Sequence, residues 1–104
     1  MEGVVREGKR LRGVHLDARA VASPLGVLRV GIVVPKHGHT AVRRNRLKRQ
    51  LRELVRLILL AEPVACDLVV RAHDVTYSKT FDDLRGDMER IRVQVQAMFA
   101  AATP

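Results

Sequence analysis

From Arg43 to Ile58 the apolar residues keep a helical period inside a run of cations, and few folds satisfy both demands at once. Leu47, Leu51, Leu54, Val55 and Ile58 fall on one stripe, centred near Leu47 and Ile58. Asn45, Lys48, Arg49, Arg52 and Arg56 fall on the far side. Arg43 and Arg44 sit nearer the stripe, but in a first turn from which they reach outward. Such a helix has to bury its leucines on a support and hold its guanidinium groups in water. Between Lys36 and Arg56 there are eight Lys/Arg residues and one acid, Glu53, a balance of +7 against +8 for the whole chain. The basicity is therefore local, the electrostatic footprint of a polyanion binder.

Position along the helix sharpens that reading. Thr40 is placed to cap the N-terminus by accepting a backbone N–H. The helix dipole favours acids in the first turn, yet Arg43, Arg44 and Arg46 stand there, at about 0.3 kcal/mol or more per charge. A bound phosphate reverses the sign of that cost, because free N–H groups, dipole and arginines then point at one anion. Arginine outnumbers lysine in the run, and its planar fork bonds phosphate bidentately and stacks on bases.

The rest of the chain supplies the support. Val14 to Ala22 partly alternates and reads as a strand. Pro24-Leu25-Gly26 marks a turn, and Val27 to Val34, bounded by Gly26 and Pro35, reads as a buried strand. An antiparallel hairpin is the simplest way to join the two. Glu62-Pro63 closes the basic helix, and Cys66 to Ala72 is a third strand. Thr80 and Asp83 form a capping box ahead of a second helix that carries Phe81, Leu84, Met88, Ile91, Val95 and Met98. Residues 101–104 are expected to fray. The pattern is that of a two-layer α/β domain, and 104 residues predict one domain, 1–104. Aromatics are few, so Val, Leu, Ile and Ala must fill the core. Single Cys66 fits a reducing compartment and reads as a buried thiol. With no long apolar run and no signal peptide at Met1 to Arg6, the expected location is the cytoplasm, away from membranes.

Other chemistry is thinly represented. His37 and His39 form a pair without the Cys or carboxylate that would complete a metal set, and read as loop histidines facing RNA or solvent. Asp82, Asp83, Asp87 and Glu89 read as a solvated helix face with favourable N-terminal charge. No nucleophile has a base and an orienting partner, so no catalytic residue and no metal ligand is assigned.

The run Pro35-Lys36-His37-Gly38-His39-Thr40-Ala41-Val42-Arg43-Arg44-Asn45-Arg46-Leu47-Lys48-Arg49-Gln50-Leu51-Arg52-Glu53 closely resembles the signature of the bacterial ribonuclease P protein component. Leu28 to Val34 looks like that family's third strand and Cys66 to Ala72 like its fourth. The resemblance implies an α+β two-layer fold like the second domain of ribosomal protein S5. It has a mixed sheet of about four strands, two or three helices and a left-handed βαβ crossover. It also implies the protein subunit of an endoribonuclease whose catalytic centre lies in an RNA, with magnesium held mainly by that RNA. The partners implied are ribonuclease P RNA and precursor tRNA, with the protein a monomeric subunit. Residues expected to contact RNA are Lys36, His37, Arg43, Arg44, Asn45, Arg46, Lys48, Arg49 and Arg52. The 5′ leader of the tRNA is expected in a cleft between sheet and helix, where His15 and Arg19 stand in for missing aromatics. Set against the family, the chain is expected to begin inside the short N-terminal helix, with Val5 where an aromatic is common.

Two other classes share the basic helix. One is a non-enzymatic RNA chaperone or ribosome-associated module. The other is an amphipathic helix for a membrane surface or partner, which requires the leucine stripe to be exposed in the free protein.

Overall fold

The structure, a computed structural model, describes residues 9–23, 26–60 and 64–99. Four strands form one mixed sheet: β1 (Lys9–Arg12), β2 (Leu16–Ala22), β3 (Arg29–Val33) and β4 (Cys66–Ala72), in the order β1-β2-β4-β3. β2 pairs antiparallel with both β1 and β4, while β3 and β4 run parallel. Parallel neighbours need a long crossover. Helix α1 (Ala41–Leu54), continued by a π-turn at Val55–Leu59, supplies it.

The hairpin expected between the second and third strands is not formed, because β4 lies between them. The cause is burial. β4 hides every residue except Arg71, and a strand apolar on both faces belongs at the centre of a sheet. The strand expected to be buried, β3, is instead an edge strand with half-exposed residues and with Val33 facing solvent. β1 leaves little trace in the sequence because its four positions carry one buried apolar side chain, Leu11. The expected N-terminal helix with Val5, the helix end expected at Glu62-Pro63 and residues 101–104 lie outside the described residues.

Helices α1 and α2 (Phe81–Phe99) pack on the same sheet face. Leu11, Leu16, Ala18, Ala20, Leu68 and Val70 of the sheet meet Leu47, Leu51, Leu54 and Val55 of α1 and Leu84, Met88, Ile91 and Val95 of α2 in one core. Val69 and Cys66 are buried too, and burial pushes the Cys66 thiol up to about 11. The π-turn alters the end of the leucine stripe. The Leu60 N–H donates to the Val55 carbonyl five residues back (3.0 Å), so Leu59 is buried and Ile58 only half-buried.

Asp87 corrects a second expectation. It is not on a solvated face; its carboxylate is wholly buried. It accepts the backbone N–H groups of Val14 (3.1 Å), His15 (2.5 Å) and Leu16 (2.8 Å), and the Arg90 guanidinium at 3.0 Å. It thus clamps the β1–β2 turn to α2. A Cβ on Gly13 would lie 2.7 Å from the Leu16 carbonyl oxygen and 3.0 Å from the Asp87 carboxylate, so the turn closes this tightly only with glycine.

Candidate nucleic-acid interface

The basic ridge begins at a loop whose geometry is fixed from several sides. Gly38 has φ +78°, with open space where a Cβ would stand, so backbone conformation rather than crowding calls for glycine. The Thr40 hydroxyl accepts the Arg43 N–H at 3.2 Å and caps α1 as expected. His39 turns inward, against the expectation of a histidine facing RNA or solvent. Its ring stacks on Tyr77 at 3.7 Å, and its Nε2 meets the Asp74 carboxylate at 2.9 Å. The Tyr77 hydroxyl donates to the Pro35 carbonyl at 2.7 Å. The loop is thereby tied to the 3-10 helix Asp74–Ser78. Lys36 and His37 remain exposed at its tip.

Along α1 the leucine side faces the core, and Arg43, Asn45, Arg46, Arg49, Arg52 and Arg56 are exposed. Lys48 and Arg44 are half-buried, and Arg44 bends back to donate to the His39 carbonyl at 2.8 Å. Arg56 pairs with Glu53 at 2.5 Å, which holds that carboxyl below its usual range. Arg43, Arg46, Lys48, Arg49 and Arg52 make no ion pair with any described residue. No acid stands in the first turn. Asn45, Lys48, Arg49, Arg52, Glu53 and Arg56 line a shallow groove of about 450 Å³. This is a surface of concentrated, uncompensated positive charge on a rigid element, suited to phosphate and to base edges.

The buried stripe disposes of the membrane-helix alternative, since Leu51 and Leu54 have no exposed surface. No helix of the described residues is long and apolar enough to cross a membrane. Among the described residues, no three His, Cys, Asp or Glu side chains group as metal ligands.

His15 and Arg19 are not brought together. Arg19 is on the outer sheet face, opposite Arg10 on β1 and Val69 on β4. His15 is in the β1–β2 turn, with its carbonyl accepting the Thr76 hydroxyl at 2.5 Å. Its ring is near the start of α2, where it adds to the capping bonds that hold Asp83 below its usual range. Strand alternation instead gathers Arg10, Arg29 and Arg71 with Arg19 on the outer face. None of the three stands out in the sequence. The signal is present in the alternation of β1 and β4, but is unusable before those strands are paired. Acids temper this second surface: Asp17 pairs with Arg10 (3.4 Å) and His73 (3.1 Å), and Asp67 with Arg29 (2.6 Å).

The family model described as Ribonuclease P matches residues 2–96. A ribonuclease P protein component from Thermus scotoductus is 43% identical over 83 residues, covering 77% of this chain and 49% of that protein. One from Pseudanabaena sp. is 32% identical over 97 residues, covering 91% and 84%. The chain spans about half the length of the first curated relatives it matches. Among solved structures, the RNase P protein from Thermotoga maritima superposes with a TM-score of 0.75 at 26% identity, covering 86% of each chain. A Staphylococcus aureus RNase P protein mutant superposes with a TM-score of 0.80 at 21% identity, covering 94% of this chain and 81% of that one, a likeness of fold.

Proposed function

The chain belongs to the ribonuclease P protein family, and from that premise we propose that it is the protein subunit of a ribonucleoprotein that removes the 5′ leader of precursor tRNA. It acts as one RNA-binding domain, a monomeric subunit working in the cytoplasm. The observation that carries the proposal is the row Arg43, Arg46, Lys48, Arg49 and Arg52, unpaired within the described fold and anchored from behind by buried leucines. Neutralising those charges is left to a ligand.

The division of labour follows from the chemistry available. The ridge binds the large RNA by phosphate contacts that release counterions, with the cations of the α1 first turn and the dipole behind them acting on the same anion. Asn45, which both donates and accepts, reads a ribose hydroxyl or base edge beside it. Lys36 and His37 extend the ridge across the loop. The outer sheet face, with Arg10, Arg19 and Arg71, holds the leader more loosely, its charge partly offset by Asp17. His15 lies apart from that face and leaves the leader to Arg19 and its neighbours. The reaction itself belongs to the RNA. Magnesium, which family membership implies, enters with that RNA, since the one acid of the ridge, Glu53, is engaged by Arg56.

Reconstitution tests this. The protein alone cuts nothing. With the large RNA from the same genome and a precursor tRNA it restores cleavage at low magnesium, where the RNA alone is slow. No gain over RNA alone at low magnesium would sink the proposal.

A further inference from the structure

A second groove runs along the other flank of α1, and the family signature contributes only part of it. It has a volume of about 470 Å³, within the range of small-ligand pockets. Arg43, Arg46 and Gln50 form one wall, Tyr77, Lys79 and Phe81 the other, and buried Leu47 the floor. Resting on the RNA-binding reading above, we propose that this groove takes a single unpaired nucleotide of the bound RNA.

Three observations converge on that ligand. The first is charge: Arg43, Arg46 and Lys79 line the groove without an ion pair to any described residue. The acids nearby are engaged chiefly elsewhere, Asp83 in the Thr80 cap at 3.1 Å, with a weaker attraction to Lys79, and Asp82 with Arg85 at 3.8 Å. The second is flat surface. His39 stacks on Tyr77, and the Arg43 guanidinium stands over the same ring, 5.2 Å from its centre. A guanidinium and an aromatic ring side by side offer planar groups on which a base can stack. Phe81, beneath the Arg85 guanidinium at 5.5 Å, borders the same space. The third is an unused polar group. The half-buried Gln50 amide makes no hydrogen bond with another described residue, and it both donates and accepts, as a base edge requires. Phosphate alone would need only the cations. A duplex keeps its bases stacked and cannot offer a face to the Arg43 platform or an edge to Gln50.

The test is a titration of the ¹⁵N-labelled protein, followed by NMR, with single-stranded pentauridylate and separately with a short RNA duplex. The single strand is expected to shift the backbone amides of Tyr77 to Phe81 and the Gln50 side-chain amide, while the duplex shifts backbone signals along residues 41–56 and leaves Tyr77 to Phe81 in place. The double variant Gln50→Ala, Lys79→Ala should weaken pentauridylate binding about five-fold or more and leave duplex binding unchanged. The proposal is overturned if the duplex moves Tyr77 to Phe81 as strongly as the strand, or if the strand leaves them unmoved while residues 45–56 respond. If neither RNA moves residues 45–56, the RNA-binding reading falls, and this one with it.

Discussion

Helices α1 and α2 lie on the same sheet face and bury similar stripes, yet they treat charge in opposite ways. α2 opens with Asp82 and Asp83 in its first turn, and three of its arginines each follow an acid by three residues: Arg85 after Asp82, Arg90 after Asp87 and Arg92 after Glu89. α1 opens with no acid, and the only such pair in its continuation is Glu53 with Arg56. One helix has its charges arranged for its own stability and the other against it. A fold that needed only a second helix had no reason to build α1 this way. The contrast supports the proposal that the protein works through α1, with α2 as its support.

The hardest blow to the support is Asp87→Ala. It removes the acceptor of three backbone N–H groups, strands the buried one of Leu16, and leaves a cavity where the carboxylate stood. The expected destabilisation is roughly 3 kcal/mol or more. Urea unfolding checks it, and a midpoint unchanged from the parent protein would show that the clamp does not hold the turn. RNA affinity of whatever remains folded should be intact.

Arg49→Ala with Arg52→Ala is the converse experiment. Both side chains are exposed and unpaired, so melting temperature should stay within about 2 °C of the parent, a shift of under ~0.5 kcal/mol. Affinity for the large RNA should fall, and the log–log salt slope should shrink by about 0.7–0.9 for each phosphate that is no longer neutralised. Unchanged affinity would erase the distinction between the two helices.

Acid separates structural charges from binding charges in a third way. Asp67, bonded to the Arg29 guanidinium, Asp83, bonded to the Thr80 N–H and hydroxyl, and Glu53, bonded to Arg56, all titrate below their ordinary values. Their folded pKa values are depressed, so each stabilises the fold above its unfolded pKa, and that stability is lost as pH falls through the folded value. Thermal melts should therefore hold steady above about pH 5 and decline below about pH 4. Asp67→Asn and Asp83→Asn should each flatten that decline, whereas Arg49→Ala should not touch it. At the alkaline end, Cys66 with its pKa of about 11 is protonated in the fold and resists alkylation at pH 8 until the core opens.

Much of this is legible in the residues. Period, cap and charge place α1, its leucine face and its exposed cations, because each is a local property of consecutive residues. Strand partners are not legible. Pro24-Leu25-Gly26 between two strand-like runs reads as a hairpin turn, and nothing local reports that β4, beyond the whole of α1, outcompetes β3 for β2. That outcome depends on which strand has two apolar faces to hide, a global comparison. Asp87 misleads for a different reason. It lies between Leu84, Met88 and Ile91 on the buried stripe of α2, so its position is visible, but an acid there looks like surface until its N–H partners appear. His39 and Tyr77, on opposite sides of α1 and β4 in the chain, cannot be joined by any local rule. Leu59 displaces Ile58 through a π-turn of which the helical period gives no sign.

The smallest expected effect probes the contrast most directly, by making α1 resemble α2. Val42 stands in the first turn of α1 with 78% of its surface exposed, so replacing it removes no packing. Val42→Glu places an acid where the dipole favours one and adds local compensation for Arg43 and Arg46. The free protein should gain about 0.3–1 kcal/mol, raising the melting temperature by a few degrees for a domain of this size. RNA binding should weaken, because the carboxylate meets the phosphate that the first turn is built to attract. Stability and affinity would then move in opposite directions from one added charge. If both rose together, the acid-free first turn of α1 would be an accident of sequence rather than an anion site, and the ridge would have to hold its RNA further along, at Arg49 and Arg52.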